Sequence, residues 1–148
     1  MSSAQSMALK VAAILWVIWG LVHAFAGIAV MTTDAPAGFA LIADAVDPEI
    51  IAHDYVPSVK GVLNQHSWNL LWAGCVTVIG GVFVWRASFT AIWVTAMVGG
   101  LFDLGYFLFM DLPGFVHFFP GTVMTLVSSA AIVLSFWVWL TNRKTAAA

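Results

Sequence analysis

The chain has 148 residues, of which 62% are hydrophobic and only 8% charged, and its formal net charge is −2. Soluble domains carry charge on roughly a quarter of their residues, so this composition excludes an ordinary water-soluble globule and indicates a membrane protein. The slightly acidic balance and the lack of a basic run exclude a nucleic-acid-binding surface. The single cysteine, Cys75, excludes an internal disulfide.

Four apolar stretches are each long enough to cross a bilayer, which takes about 20 helical residues. We predict an all-α integral membrane protein, built as an antiparallel four-helix bundle in one membrane domain over residues 1–148. Residues 1–7 are expected to fray, and an earlier start of the second helix near Ser58 is left open. The predicted transmembrane helices cover residues 9–31, 66–85, 89–110 and 119–140.

The first stretch has an alternative interpretation. Lys10, the apolar run after it and Ala24-Phe25-Ala26 resemble a signal peptide that is cleaved after residue 26. The apolar run continues past this point to Met31, which favours a retained helix. Cleavage of residues 1–26 is kept as the alternative.

Residues 32–65 form the only long polar connection, and we predict that it is extracytoplasmic. Phe39, Ile42 and Val46 recur at helical spacing, which favours a short amphipathic helix that caps the bundle at the membrane surface. Asp47-Pro48-Glu49 has the pattern of a helix start, with an N-cap, a proline at the first position and an early acid.

The cations predict the orientation. Lys10, Arg86, Arg143 and Lys144 flank one side of a four-crossing chain, and Lys60 alone lies on the other. Because cytoplasmic loops carry an excess of Lys and Arg, we predict a multi-pass protein of the cell membrane with both termini in the cytoplasm.

Asp103 is the most informative single residue, because it lies inside the third apolar stretch. A carboxylate there costs several kcal/mol unless it has a partner, and such groups usually face a bundle interior. His23 and Asn69 fall at a similar depth, and Tyr106 is about one turn from Asp103. These four residues predict an outward-facing pocket that binds a proton or a small ligand.

A metal ion is an alternative occupant of this pocket. His23, His66, Asp103 and His117 would supply imidazole and carboxylate ligands, which suit a transition-metal ion better than Ca²⁺. The sequence has no paired histidine spacing such as H-x3-H. Haem is disfavoured, because His23 lies too deep relative to His66 and His117. Asp103 also has a purely structural interpretation, as a hydrogen-bonding post between helices.

The function is therefore left open among three hypotheses. The first is the pocket that binds a metal ion, a proton or a small ligand. The second is a subunit of a membrane redox enzyme, linked to a lipid or quinone, in which Asp103 and a histidine handle protons. The third is a non-catalytic accessory or scaffold subunit of a larger membrane complex. No nucleophile motif, phosphate-binding loop or HExxH pattern is present, and the sequence does not decide whether the protein is an enzyme. Its partners would be the lipid bilayer and either a homo-oligomer or a larger complex.

Overall fold

The computed structural model describes residues 1–43 and 47–143, except for the side chains of Pro120 and Arg143. Within these ranges the chain is all-helical and contains no strand. A π-helical turn, Phe107–Asp111, follows α5, and a turn with an extended residue at Phe119 precedes α6. The α-helices are α1 (Ser3–Met31), α2 (Ala35–Ala43), α3 (Pro48–Ile51), α4 (Pro57–Trp85), α5 (Phe89–Tyr106) and α6 (Val123–Arg143).

Four segments of the described chain are long and apolar enough to cross a membrane: Ser3–Met31, Pro57–Trp85, Phe89–Asp111 and Val123–Asn142. Their number matches the sequence prediction, but three starts differ, and the last helix begins at Val123 rather than at residue 119. The second helix begins at Pro57 rather than at residue 66, in line with the open alternative near Ser58 and with the preference of proline for the first helical turn.

The expectation that residues 1–7 fray is wrong. Helix α1 begins at Ser3, and Ser2 caps it: the Gln5 backbone N–H donates to Ser2 Oγ at 3.2 Å, and the Ser2 backbone N–H donates to Gln5 Oε1 at 2.8 Å. This reciprocal capping box satisfies two of the N–H groups that a helix start leaves unpaired.

Helices α1 and α4 approach until their backbones touch. A Cβ atom added at Gly74 would lie 2.4 Å from the carbonyl oxygen of Gly20, and one added at Gly27 would lie 2.5 Å from the carbonyl oxygen of Ser67. Small residues permit such approach between apolar helices, and Gly20 and Gly27 supply them on α1. The order of these contacts shows that α1 and α4 run in opposite directions.

The other long helices complete a shared core. Helix α1 packs on α4 and α6, and α5 packs on the same two helices. Trp16 and Trp19 of α1 are fully buried, and the ring of Trp16 lies against Gly99 of α5. Helix α6 contributes Ala131 to this core. Two tryptophan rings therefore occupy the centre of the described structure, between α1 and α5.

Helix α2 covers one end of the α1–α4 pair. It packs on a small apolar cluster that contains Val30 and Leu63, and Phe39, Ile42 and Tyr55 flank that cluster. The predicted helix in this connection is therefore present. Its third predicted residue, Val46, lies outside the described residues.

Two polar contacts order the rest of the connection. Asp47 Oδ1 accepts a hydrogen bond from the Glu49 backbone N–H at 3.0 Å, so the predicted helix start at Asp47 is confirmed. Lys60 Nζ donates to the carbonyl oxygen of Val30 at 2.6 Å. A cation near the end of α1 is favourable, because the last carbonyl groups of a helix carry partial negative charge.

Candidate functional site

Asp103 lies where α5 faces α1. Thr95, Gly99 and Asp103 are spaced four residues apart, so they share one face of α5, and all three are buried. Only 4% of Asp103 is exposed. The indole Nε1–H of Trp19 donates to Asp103 Oδ2 at 2.7 Å, within the normal range of an N–H···O hydrogen bond. This bond fixes the direction of the carboxyl group.

His23 stands beside this carboxyl group and is held by the same tryptophan. It follows Trp19 by one helical turn, its ring stacks on the indole at 3.7 Å between centroids, and its Nδ1 lies 2.8 Å from the Trp19 carbonyl oxygen. A carbonyl oxygen only accepts, so Nδ1 carries a proton. In neutral imidazole the other nitrogen, Nε2, is then an acceptor.

The His23 Nε2 and Asp103 Oδ1 atoms are 3.9 Å apart. This separation is longer than a direct hydrogen bond. The two groups therefore adjoin without closing on each other, and a donor placed next to both can reach each of them.

Two adjoining cavities open on this pair. One has a volume of about 110 Å³ and the other about 320 Å³. Leu41 and Ile42 of α2 form part of the wall of the smaller one, so the connection between α1 and α4 covers the site. The residues common to both cavities are His23, Ile42, His66, Leu70, Asp103 and Tyr106.

The structure brings most, but not all, of the predicted residues together. His23, His66, Asp103 and Tyr106 line the same cavities. Asn69 does not line them, and its side-chain oxygen accepts a hydrogen bond from Trp72 Nε1 at 3.0 Å instead. The hydrogen bonds to Asp103 come instead from the side chains of Trp19 and Ser128.

The predicted metal set gains no support. Among the described residues, no group of three His, Cys, Asp or Glu side chains is arranged to hold a metal ion. His117 is exposed and lines neither cavity at Asp103.

Trp19 is the site residue that the sequence interpretation missed. Tryptophans near the ends of apolar segments are explained by the membrane interface, but Trp16 and Trp19 lie in the middle of the first segment. Trp19 also precedes His23 by four residues and shares its helix face. Its position in the middle of the apolar segment, one helical turn from His23, is the sequence feature that could have identified Trp19 as a site residue.

Comparisons of the chain with protein-family models, with curated proteins and with solved structures found no match. The class of the protein therefore follows from its own architecture: the described residues are all-helical, with four helices able to span a membrane and a largely buried Trp–His–Asp group beside a cavity.

Proposed function

We propose that the chain is a multi-pass protein of the cell membrane, in which the four long helices form an antiparallel bundle with both termini in the cytoplasm. Contacts at one end support this arrangement. Lys10 Nζ lies 5.5 Å from the centre of the Trp85 ring, next to Arg86 in the chain, and Gln5 Nε2 donates to Thr141 Oγ1 at 3.0 Å. The cation-rich ends of α1, α4 and α6 therefore lie together, on the side that the positive-inside rule assigns to the cytoplasm.

The proposed function is the binding of a small ligand, through a hydroxyl or amino group, in the outward-facing cavity at Asp103. The observation that carries this proposal is the arrangement of three side chains. Trp19 orients both Asp103 and His23, and leaves Oδ1 and Nε2 side by side at the cavity.

The hydrogen-bonding state of the pair defines the ligand chemistry. Nδ1–H of His23 is engaged by the Trp19 carbonyl oxygen, so neutral His23 and ionised Asp103 both present acceptors. A ligand with two N–H or O–H donors satisfies both. When one additional proton is bound at either His23 Nε2 or Asp103 Oδ1, these two atoms present one donor and one acceptor. A single hydroxyl group satisfies both.

The surroundings strengthen these bonds. Leu70, Ile42 and Val22 line the cavity next to the polar group. Ligand sites are usually apolar cavities with a few polar groups that fix the orientation of the ligand, and hydrogen bonds are electrostatically stronger where water is scarce.

A pair of matched probes tests the proposal. Phenol and toluene have similar size, but only phenol carries a donor. In purified protein in lipid nanodiscs, phenol is expected to raise the melting temperature in a concentration-dependent way, because a ligand of the native state stabilises it. Toluene is expected to have a much smaller effect.

Asp103→Asn separates a binding role from a structural one. Asparagine keeps an oxygen that accepts from Trp19, so the melting temperature without ligand is expected to stay close to that of the parent protein. The affinity for phenol is expected to fall at least about tenfold, which corresponds to about 1.4 kcal/mol of binding free energy. Asp111→Asn is the control, because Asp111 accepts from Thr122 and lines neither cavity beside His23. Equal phenol binding in both variants would show that Asp103 is only a structural hydrogen-bond acceptor between helices.

A further inference from the structure

A third, larger cavity also has Asp103 in its wall. It has a volume of about 660 Å³ and runs between α5 and α6, within the size range of ligand sites. We name it the α5–α6 groove. Its walls include Met97, Leu101 and Leu104 of α5 and Leu126, Ile132 and Phe136 of α6. Met97, Leu101, Leu104 and Leu126 are each about half exposed or more, so the groove opens toward the lipid in the proposed topology.

One zone of this apolar groove is polar. Asp103, Thr125, Ser128 and Ser129 lie along its wall. The Ser128 hydroxyl donates to the Thr125 carbonyl oxygen at 3.1 Å. Thr125 Oγ1, in contrast, is buried and has no hydrogen-bond partner among the described residues. A buried hydroxyl without a partner costs free energy, so a bound group that pairs with it gains that free energy back.

We infer that the α5–α6 groove holds the tail of a single-chain bilayer amphiphile whose hydroxyl group bonds to Thr125 Oγ1 and Asp103. This inference rests on the proposed function, since it names the class of ligand for the same carboxyl group: a long-chain phenol or alcohol. Asp103 lines the groove as well as both cavities beside His23. The apolar walls match an alkyl tail, and the acceptor at Asp103 and the unpaired hydroxyl at Thr125 match a head that both donates and accepts.

The test compares phenol with para-octylphenol in two tryptophan variants. Ser129 and Ala130 are neighbouring exposed residues of α6, but only Ser129 lines the groove. Ser129→Trp is expected to fill the groove and to weaken para-octylphenol binding about tenfold, while phenol binding changes less than about twofold. Ala130→Trp is expected to change neither. Calorimetric titration measures the affinity of each variant for the probes. All variants are in the same nanodiscs, so the probe partitions into lipid equally in each titration and the affinities can be compared.

Thr125→Val tests the head contact separately. Valine keeps the shape but removes the unpaired hydroxyl, so the melting temperature without ligand is expected to stay the same or rise. Binding of both probes is expected to weaken about three- to tenfold, the usual size of one hydrogen bond.

The outcomes distinguish the two proposals. If phenol does not bind the parent protein, the proposed function fails and the inference fails with it. If phenol binds but Ser129→Trp and Ala130→Trp affect para-octylphenol equally, only the groove assignment is overturned. Unchanged probe binding in Thr125→Val would overturn the assignment of the head group.

Discussion

The bond between Trp19 and Asp103 is the contact on which the site depends. Trp19→Phe keeps an aromatic ring for stacking on His23 but leaves Asp103 Oδ2 buried without its 2.7 Å donor. Because an unsatisfied buried acceptor is costly, we expect the free energy of unfolding to fall by about 1–3 kcal/mol. Reversible unfolding in mixed detergent micelles measures this loss.

Trp72→Phe is the matched control for that measurement. It removes an indole donor of the same chemistry, but the Trp72 bond to Asn69 lies on an exposed surface. We expect a change below about 0.5 kcal/mol, as for most exposed substitutions. A double-mutant cycle of Trp19→Phe with Asp103→Ala, which removes the acceptor, completes the test, and additive effects of the two substitutions would contradict a direct coupling.

Single residues show how far sequence reasoning reaches at this scale. The energetic cost of a charge in lipid identified Asp103 as a residue that needs a partner, and its burial in the structure agrees. Depth along the helices, the only criterion used, then selected Asn69 rather than Trp19 as the polar partner of Asp103. Depth does not determine rotation: Asn69 and Asp103 fall at similar levels, but Asn69 bonds to Trp72 away from the cavities. The rotation of each helix about its own axis depends on its packing against the other helices, which the sequence of one apolar segment does not determine.

At the scale of elements, the α1–α4 pair depends on the absence of a side chain at Gly74. A Cβ there would lie 2.4 Å from the Gly20 carbonyl oxygen and 2.7 Å from the Ala24 backbone nitrogen. Backbone atoms cannot rotate away, so Gly74→Ala is expected to force the helices apart and to lower the free energy of unfolding by about 1–3 kcal/mol, as overpacking does.

Gly61→Ala in the same helix is the control. A Cβ at Gly61 would meet no atom within 4 Å. Alanine favours a helix over glycine by about 1 kcal/mol, so the control is expected to be neutral or stabilising. The same unfolding measurement serves both variants. A Gly74→Ala protein as stable as the Gly61→Ala protein would contradict the close approach of the two helices.

The elements themselves were largely predictable, for a physical reason. Each apolar stretch is long enough to span a bilayer as a helix, and the turn at Asp111–Gly114 is marked by proline and by a glycine with a φ of +79°. The starts of α1 and α4 were less predictable. Ser2 caps α1 through contacts within its first turn, and α4 extends through Lys60 and Leu63 because these residues bond to and pack on Val30 and its neighbours.

At the scale of the whole molecule, α1 is required for the proposed site. Trp19 and His23 both come from this helix, and Trp16 fills the core against α5. Cleavage after residue 26, the alternative left by the sequence, would remove all three. The proposed function therefore requires a mature protein that retains α1.

Cysteine accessibility in intact cells tests retention and orientation together. In a Cys75→Ala background, Asp54→Cys lies in the exposed connection before α4, and Ser3→Cys lies at the start of α1. A membrane-impermeant maleimide is expected to label Asp54→Cys directly and Ser3→Cys only after permeabilisation, because the proposed topology places the ends of α1 and α4 that carry Lys10 and Arg86 on the cytoplasmic side. Leu112→Cys, an exposed residue between α5 and α6, is expected to behave like Asp54→Cys. Direct labelling of Ser3→Cys would contradict the proposed orientation. If the intact mass of the mature protein showed that residues 1–26 are absent, Trp19 would be absent too, and the proposed site could not form.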